Sequence, residues 1–177
     1  METNAELVPY GIFQEASDIR AHVGVLSRAV YVFQTKQMRE LISKDPQKYA
    51  MADAGQRGVE GRTAQGWLVK WKDVPDLRRL QFHSYNWTVF SEQDSTSEKG
   101  KKAVDVVTTL LKLGRFPLWL GAEESKDTSI QIQGTDIIIF HKAKIQVKCD
   151  WRAGDGSPGC SGNLFIQNAE RNPLKRS

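Results

Sequence analysis

The most constraining feature of this sequence is a set of three short segments within residues 129–149 whose apolar residues follow the periodicity of β-strands. SIQIQG alternates apolar and polar residues, TDIIIF is continuously apolar, and KIQVK alternates again after a short connection at HKA. Alternation with a period of two is typical of a half-buried strand, and a short apolar run is typical of a central strand covered on both faces. The short connection predicts that the last two strands pair as a hairpin.

A helix is predicted just before these strands. Thr96 or Ser97 is expected to cap it, Glu98 favours its first turn, and Gly114 supplies the stop. The apolar residues between these signals fall on one face at helical spacing: Ala103, Val106, Val107, Leu110 and Leu111. After the three strands, the glycine-rich residues 150–162 predict a loop, and NLFIQN predicts a last strand.

The first 90 residues give a less legible pattern. Apolar residues from 16 to 43 recur at helical spacing and predict one or two helices: Ile19, Val23, Leu26, Val30, Phe33, Met38, Leu41 and Ile42. WLVKWKDV and YNWTVF are aromatic and β-branched, which predicts strands. We therefore expect a mixed α/β protein with two regions. Residues 1–90 form a mainly helical extension with some strand, for substrate recognition or dimerisation, and residues 91–177 form a core of a central mixed sheet flanked by helices.

Composition limits the classes of protein that fit this chain. Its 177 residues are 40% hydrophobic and 26% charged, which fits a soluble globular protein. No apolar run approaches the roughly 20 residues that span a bilayer, so no membrane association is expected. The amino-terminal residues lack the features of a signal peptide, which predicts a cytoplasmic location. A net charge of +4 and a pI near 9.1 permit a partner with phosphates without demanding one.

Three polar residues of the predicted hairpin form a candidate site. Gln146 and Lys148 lie two apart on one strand, so their side chains project to the same side. Asp136 begins the neighbouring strand and is expected close to Lys148 across the ladder. Mg²⁺ prefers oxygen ligands, which the Asp136 carboxylate, the Gln146 amide and the backbone carbonyl of Val147 offer. Lys148 would orient the attacking water and offset charge in a phosphoryl transition state.

Asp136, followed after ten positions by Gln146-Val147-Lys148 and preceded by a helix bearing Glu98, resembles the PD-(D/E)XK nuclease superfamily. The glutamine in place of the second acid is similar to the Mrr-like branch of restriction endonucleases. The resemblance covers residues 97–168. It implies a restriction-endonuclease-like core and an endonuclease that hydrolyses DNA with Mg²⁺ or Mn²⁺. In it Glu98 is the helix acid, Asp136 bridges the metal, Gln146 is a neutral ligand and Lys148 is the catalytic lysine.

A nuclease of this kind also needs contacts with the nucleic-acid backbone. The basic residues that we expect to supply them lie at the hairpin tip, after the lysine strand and in the glycine loop RGVEGR: Lys142, Lys144, Arg152, Arg57 and Arg62. Cleavage of both strands of a duplex favours a homodimer, because paired sites match the two-fold symmetry of DNA.

Simpler interpretations of the same residues stay open. Asp136 and Lys148 would also fit a cross-strand ion pair on a solvated face, and Glu98 would fit a carboxylate placed to favour a helix N-terminus. A nuclease-like scaffold without activity, which binds nucleic acid or another protein, is the main alternative function. An unrelated α+β interaction domain is a third hypothesis, and it expects Asp136 and Lys148 to lie far apart or to form a simple surface pair.

Overall fold

The computed structural model describes residues 19–45, 48–49, 51–53, 65–117, 129–139 and 143–167. Within these ranges the chain is mixed α/β, with one six-stranded sheet, one three-stranded sheet and two α-helices. The strands are β1 (Ile19–Gly24), β2 (Ala29–Gln34), β3 (Met51–Asp53), β4 (Gln65–Lys70), β5 (Arg78–Gln81), β6 (Ile130–Gln133), β7 (Asp136–Ile139), β8 (Ala143–Cys149) and β9 (Asn163–Gln167). The helices are α1 (Thr35–Lys44) and α2 (Thr96–Lys112), and short 3-10 turns cover Trp71–Asp73 and Trp87–Val89.

The larger sheet combines strands from both ends of the chain in the order β5-β2-β1-β8-β7-β6. Strands β6, β7 and β8 form an antiparallel meander, and β5, β2 and β1 are antiparallel to one another. The two groups join where β1 pairs with β8 in parallel. The smaller sheet is antiparallel in the order β3-β4-β9. Strands on both sides of residue 90 therefore share one sheet.

The three-strand prediction for residues 129–149 is confirmed, because β6, β7 and β8 occupy those segments. Strands β7 and β8 form the predicted hairpin, with Ile139 opposite Ala143. Residues 150–162 form a loop, as their glycines predict, and the last strand follows at Asn163. That strand joins the smaller sheet and not the sheet that contains β8.

Helix α2 is also confirmed, with its first boundary one or two residues earlier than predicted. Ser95, and not Thr96 or Ser97, is the cap residue, and its hydroxyl accepts the Glu98 backbone N–H at 3.1 Å. Gly114 stops the helix with a φ of 69°, a conformation that glycine adopts without a steric cost. The apolar face of α2 is buried against the larger sheet.

The helix predicted from the apolar spacing in the first region is wrong for residues 19–34, which form β1 and β2. Residues four positions apart lie on the same side of an α-helix and also of a β-strand, because four residues make about one helical turn and two strand periods. Ile19, Val23 and Val30 therefore fit either structure, and they are buried on the same sheet face. Leu26 decides the matter, since it lies in the turn between the strands and is 43% exposed. A helix does begin at Thr35, directly after β2.

The strand predicted at YNWTVF is wrong as well. Residues Trp87–Val89 form a 3-10 turn in which the Trp87 side chain is buried. The Trp87 indole N–H donates to the Phe82 carbonyl at 2.6 Å, and its ring stacks on Phe90. The Trp87 ring belongs to the apolar core that the larger sheet and α2 share. The strand predicted at WLVKWKDV is confirmed as far as Lys70, where β4 ends.

The two faces of the larger sheet have different character. One face is apolar and packs against α2, where Ile137, Ile145 and Val147 are fully buried. The other face packs against α1 and the smaller sheet through a second apolar cluster that includes Tyr31 and Phe33. Because side chains alternate along each strand, the polar residues that β1, β7 and β8 contribute to the candidate site belong to this second face.

Candidate functional site

The centre of the candidate site is the pair formed by Asp136 and Gln146, which lie directly opposite each other in the β7–β8 ladder. Opposite residues in a sheet present their side chains to the same face. Lys144 and Lys148 flank Gln146 on β8 and share that face by alternation. The Asp136 side chain is 27% exposed, while Gln146 is buried. The predicted grouping of acid, amide and amine on one platform is therefore present in the backbone register.

The Lys144 ammonium, which was expected to contact phosphates, forms an ion pair with the acid. Lys144 Nζ lies 3.5 Å from Asp136 Oδ2. Lys148 lies on the other side of Gln146 along β8, diagonal to Asp136. Both ion-pair partners are about one-third exposed, so the attraction is screened and their separation is easily changed by a bound ion.

Two oxygens of this pair lack hydrogen-bond partners among the described residues. Asp136 Oδ1 and Gln146 Oε1 are both shielded from solvent, and neither accepts a hydrogen bond in that part of the chain. A buried polar atom without a partner costs about 1–3 kcal/mol, and native structures contain few of them. Two such oxygens on directly opposed residues offer a pair of hard ligands to a cation.

The backbone carbonyl of Val147 is the third predicted ligand. The Val147 N–H donates to the Thr135 carbonyl at 2.9 Å. In an antiparallel pair the N–H and C=O of one residue point to the same neighbour, so this carbonyl faces the start of β7, where Asp136 lies. The Val147 side chain is buried on the apolar face of the sheet. The Val147 carbonyl therefore points, within the plane of the sheet, at the backbone of Thr135 next to Asp136, and the Val147 side chain points to the face opposite the acid.

Strand β1 adds two buried polar residues that the sequence analysis missed. Arg20 lies beside Gln146, and His22 lies beside Lys148, in the parallel ladder. They are 5% and 2% exposed, which is unusual for charged and polar side chains. The sequence contains a pattern that could have identified them, because Arg20 and His22 are polar residues at alternate positions of IRAHVG, as in a strand with one polar face. The helical interpretation of this segment concealed it.

His22 belongs to a buried hydrogen-bond network centred on Asp150. His22 Nδ1 lies 3.2 Å from Asp150 Oδ2, and the Phe165 backbone N–H donates to the same oxygen at 2.9 Å. Burial lowers the pKa of His22 below its ordinary value of 6.5, although the hydrogen bond to Asp150 acts in the opposite direction. The positive charges of Arg20 and Lys148 lower this pKa further. A neutral imidazole is therefore held beside the lysine.

Glu98 has a structural role at the start of α2. It is exposed at the third position of this helix and completes a capping box with Ser95, whose backbone N–H donates to Glu98 Oε1 at 3.5 Å. The simpler interpretation of this acid therefore has a contact to support it. The N-terminus of α2 approaches the residue before Asp136, because a Cβ on Gly100 would stand 3.2 Å from the Thr135 side chain. The helix itself packs on the apolar face of the larger sheet, opposite the face to which Asp136, Gln146 and Lys148 project.

The remaining predicted contacts with nucleic acid are less defined. Arg152 is exposed in the loop after β8. Lys142, Arg57 and Arg62 lie outside the described residues. Among the described residues of the site on β1, β7, β8 and the position after β8, the cations Arg20, Lys144 and Lys148 outnumber the carboxylates of Asp136 and Asp150. An excess of positive charge suits a phosphate group.

Neither a cluster of metal-binding side chains nor a similar known protein identifies the ligand or the function of this site. Across the described part of the chain, no three or more His, Cys, Asp or Glu side chains are grouped so that they could hold a metal ion. Any cation here would depend on amide, carbonyl and substrate oxygens in addition to Asp136. No helix in the described ranges is long and apolar enough to cross a membrane. No protein-family model, curated protein or solved structure matches this chain.

Proposed function

We propose that this protein is a Mg²⁺-dependent endonuclease that hydrolyses phosphodiester bonds in DNA, with a site related to that of the PD-(D/E)XK nucleases. One observation carries the proposal: Asp136 and Gln146 are directly opposed in one ladder, each has a side-chain oxygen without a hydrogen-bond partner among the described residues, and Lys148 follows Gln146 along the same face. Hard oxygen ligands beside an ammonium are what metal-assisted phosphodiester hydrolysis requires.

Each residue has a distinct role in this proposal. Asp136, Gln146 and the Val147 carbonyl would hold the cation, and a cation bound there would supply charge to polarise the scissile phosphate and to lower the pKa of the attacking water. Lys148 orients that water and stabilises the charge that develops on the phosphate. Arg20 and Lys144 add positive charge where the phosphate enters. Glu98 would join the ligand set only by leaving its capping contact and reaching across from the helix that covers the opposite face of the sheet.

With one carboxylate at its centre, the site should bind Mg²⁺ weakly until DNA contributes phosphate oxygens. This affinity provides a direct test. We expect Gln146→Glu to lower the Mg²⁺ concentration that gives half-maximal cleavage, because a second carboxylate strengthens binding of a hard cation. Mn²⁺ should substitute for Mg²⁺, since both accept oxygen ligands.

The decisive experiment is cleavage of supercoiled plasmid and of branched DNA with Mg²⁺ or Mn²⁺. Asp136→Asn and Lys148→Met should each reduce the rate by at least about 100-fold, the usual loss when one group that stabilises transition-state charge is removed. Lys101→Ala is the matched control, because Lys101 is exposed on α2. Equal rates for wild type and Lys148→Met would refute the enzyme proposal.

A catalytically inactive nucleic-acid-binding module is the second candidate, favoured by the excess of cations on the polar face and by the neutral Gln146. It expects DNA binding in the presence of a chelator, with an affinity that falls steeply as salt rises. Fluorescence anisotropy with labelled duplex measures this directly. Cleavage stimulated by Mg²⁺ would eliminate the candidate.

A homodimer is proposed for cleavage of both DNA strands, because two sites related by a two-fold axis match the symmetry of a duplex. Sedimentation of the protein with and without DNA measures its mass in solution. A monomer that still makes double-strand breaks in one binding event would contradict this part of the proposal.

A further inference from the structure

A row of four polar side chains crosses the larger sheet in register. Arg20 on β1 lies beside Gln146 on β8, and Gln146 lies opposite Asp136 on β7. Asp136 in turn lies opposite Gln133 on β6. Residues that lie in register on neighbouring strands present their side chains to the same face of the sheet. Gln133 therefore stands beside the proposed metal-binding acid, and the sequence analysis gave it no role.

Solvent exposure rises along this row from β1 to β6. Arg20 is 5% exposed and Gln146 is 6% exposed, whereas the Asp136 side chain is 27% exposed and Gln133 is exposed. The row is therefore covered at its β1 end and open at its β6 end. A polymer substrate that reaches Asp136 from solvent approaches over β6, because the row is open on that side.

Strand β6 extends the open end of the row with two side-chain amides. Gln131 and Gln133 are both exposed, and they alternate with isoleucines that lie opposite buried residues of the apolar face. A two-residue turn, in which Gly134 has a φ of 63°, holds β6 against β7. The two amides therefore keep a fixed spacing from Asp136.

The polar groups of this open region match those of a nucleic-acid strand. Lys144, whose side chain is 34% exposed, shares a second row with Gln131 through Ile138. An ammonium attracts a phosphate, and a glutamine amide both donates and accepts hydrogen bonds, as the phosphates, sugars and base edges of DNA require. Strand β6 itself carries no acidic residue that would repel the phosphates.

We infer that Gln131 and Gln133 form a DNA-contacting amide strip, and that the cleaved strand lies over β7 and β6 with its scissile phosphate at Asp136. The inference rests on the proposed nuclease function, to which it adds the path of the substrate and two residues that bind it. Gln133, directly opposite the acid, contacts the nucleotide next to the scissile phosphate. Gln131 contacts the strand about 7 Å further along β6, the rise of two residues in a strand.

Two alternatives give these glutamines no ligand. Because β6 is the last strand of the larger sheet, they would be solvated side chains of an edge strand, or β6 would pair through its main chain with a strand of another protein. Neither alternative needs the side-chain amides. Removing both amides therefore separates the amide strip from a solvated or main-chain-paired edge.

The test measures DNA binding by fluorescence anisotropy of a labelled duplex in a chelator, so that no strand is cut. We expect the double substitution of Gln131→Ala and Gln133→Ala to weaken binding by about 5- to 150-fold, the value of two ordinary hydrogen bonds. The slope of log affinity against log salt should not change, because a neutral amide displaces no counterion. Lys144→Ala should instead reduce that slope by about one.

Ile132→Ser is the matched control, because Ile132 is 53% exposed on the same strand and lies on the opposite face. Its DNA affinity should stay within about twofold of wild type. An equal loss in Ile132→Ser would overturn the inference, since the loss would then come from the edge strand and not from its amides. A double variant that binds DNA as tightly as wild type would overturn it too, and would leave the nuclease proposal intact. A wild type that neither binds nor cuts DNA would overturn the nuclease proposal and the inference with it.

Discussion

Acidification should destabilise this protein through His22. The imidazole is 2% exposed, and burial lowers its pKa below the ordinary value of 6.5. In the unfolded chain the same group takes up a proton near pH 6.5, while the folded protein keeps it neutral to a lower pH. The unfolded state therefore binds more protons as the pH falls below 6.5, and the free energy of unfolding decreases. Above that pH the stability is fully retained.

The size of this effect follows from proton uptake by one group. Between about pH 7.5 and about pH 5.5 the unfolded imidazole gains most of one proton, so the free energy of unfolding falls by at most about 1.4 kcal/mol, the limit for a folded protein that binds no proton. The chain carries five tryptophans, so urea unfolding followed by their fluorescence provides the assay. His22→Gln should lose this contribution to the pH dependence, up to that limit, whatever its stability at neutral pH.

His83→Gln is the matched control, because His83 is exposed. Its pH dependence should stay close to that of wild type. The reasoning would be refuted if wild type and His22→Gln lost the same stability over this pH interval. Such a result would mean that His22 is as easily protonated in the folded protein as in the unfolded chain.

Four further substitutions test the packing and helix capping that support the site. Leu110→Ala should lower the free energy of unfolding by about 2–5 kcal/mol because Leu110 is fully buried, whereas Leu113→Ala, at a position 56% exposed, should change it by less than about 0.5 kcal/mol in the same denaturation assay. Ser95→Ala should cost about 1 kcal/mol through the lost cap of α2, seen as a lower melting temperature, and an unchanged melt would argue against the capping box. Gly24→Ala places a Cβ 2.6 Å from the Ala153 carbonyl and should cost about 1–3 kcal/mol by urea unfolding; full tolerance would show that this close approach relaxes freely.

Local sequence signals predicted the parts of the fold that depend on local structure. The β7–β8 hairpin and α2 are set by periodicity and turn residues within about 20 positions, so their prediction succeeded. The pairing of Asp136 with Gln146 followed from the same hairpin. The boundary of α2 moved to Ser95 because several consecutive residues were all acceptable caps, and only the backbone geometry selects among them.

The missed half of the site depends on a contact between distant residues. Arg20 and His22 reach Gln146 and Lys148 only because β1 pairs with β8, and no local pattern in either segment specifies that partner. The apolar residues four positions apart in the first segment fit a helix as well as a strand. The helical prediction therefore hid the alternating polar positions of Arg20 and His22. The capping contact of Glu98 was left open by the sequence for a different reason, since an acid in the first turn favours both interpretations.

The parallel pairing of the first and eighth strands also has consequences for how the chain folds. When the ribosome makes this protein, β1 and β2 emerge early and can pair locally, but the partner for the open edge of β1 is synthesised more than 100 residues later. Closing so long a loop is entropically costly, and contacts of this separation slow folding. Until then the nascent hairpin presents an unprotected edge that favours misassociation. We expect the native strand order of the larger sheet to form only after β8 has emerged and paired with β1.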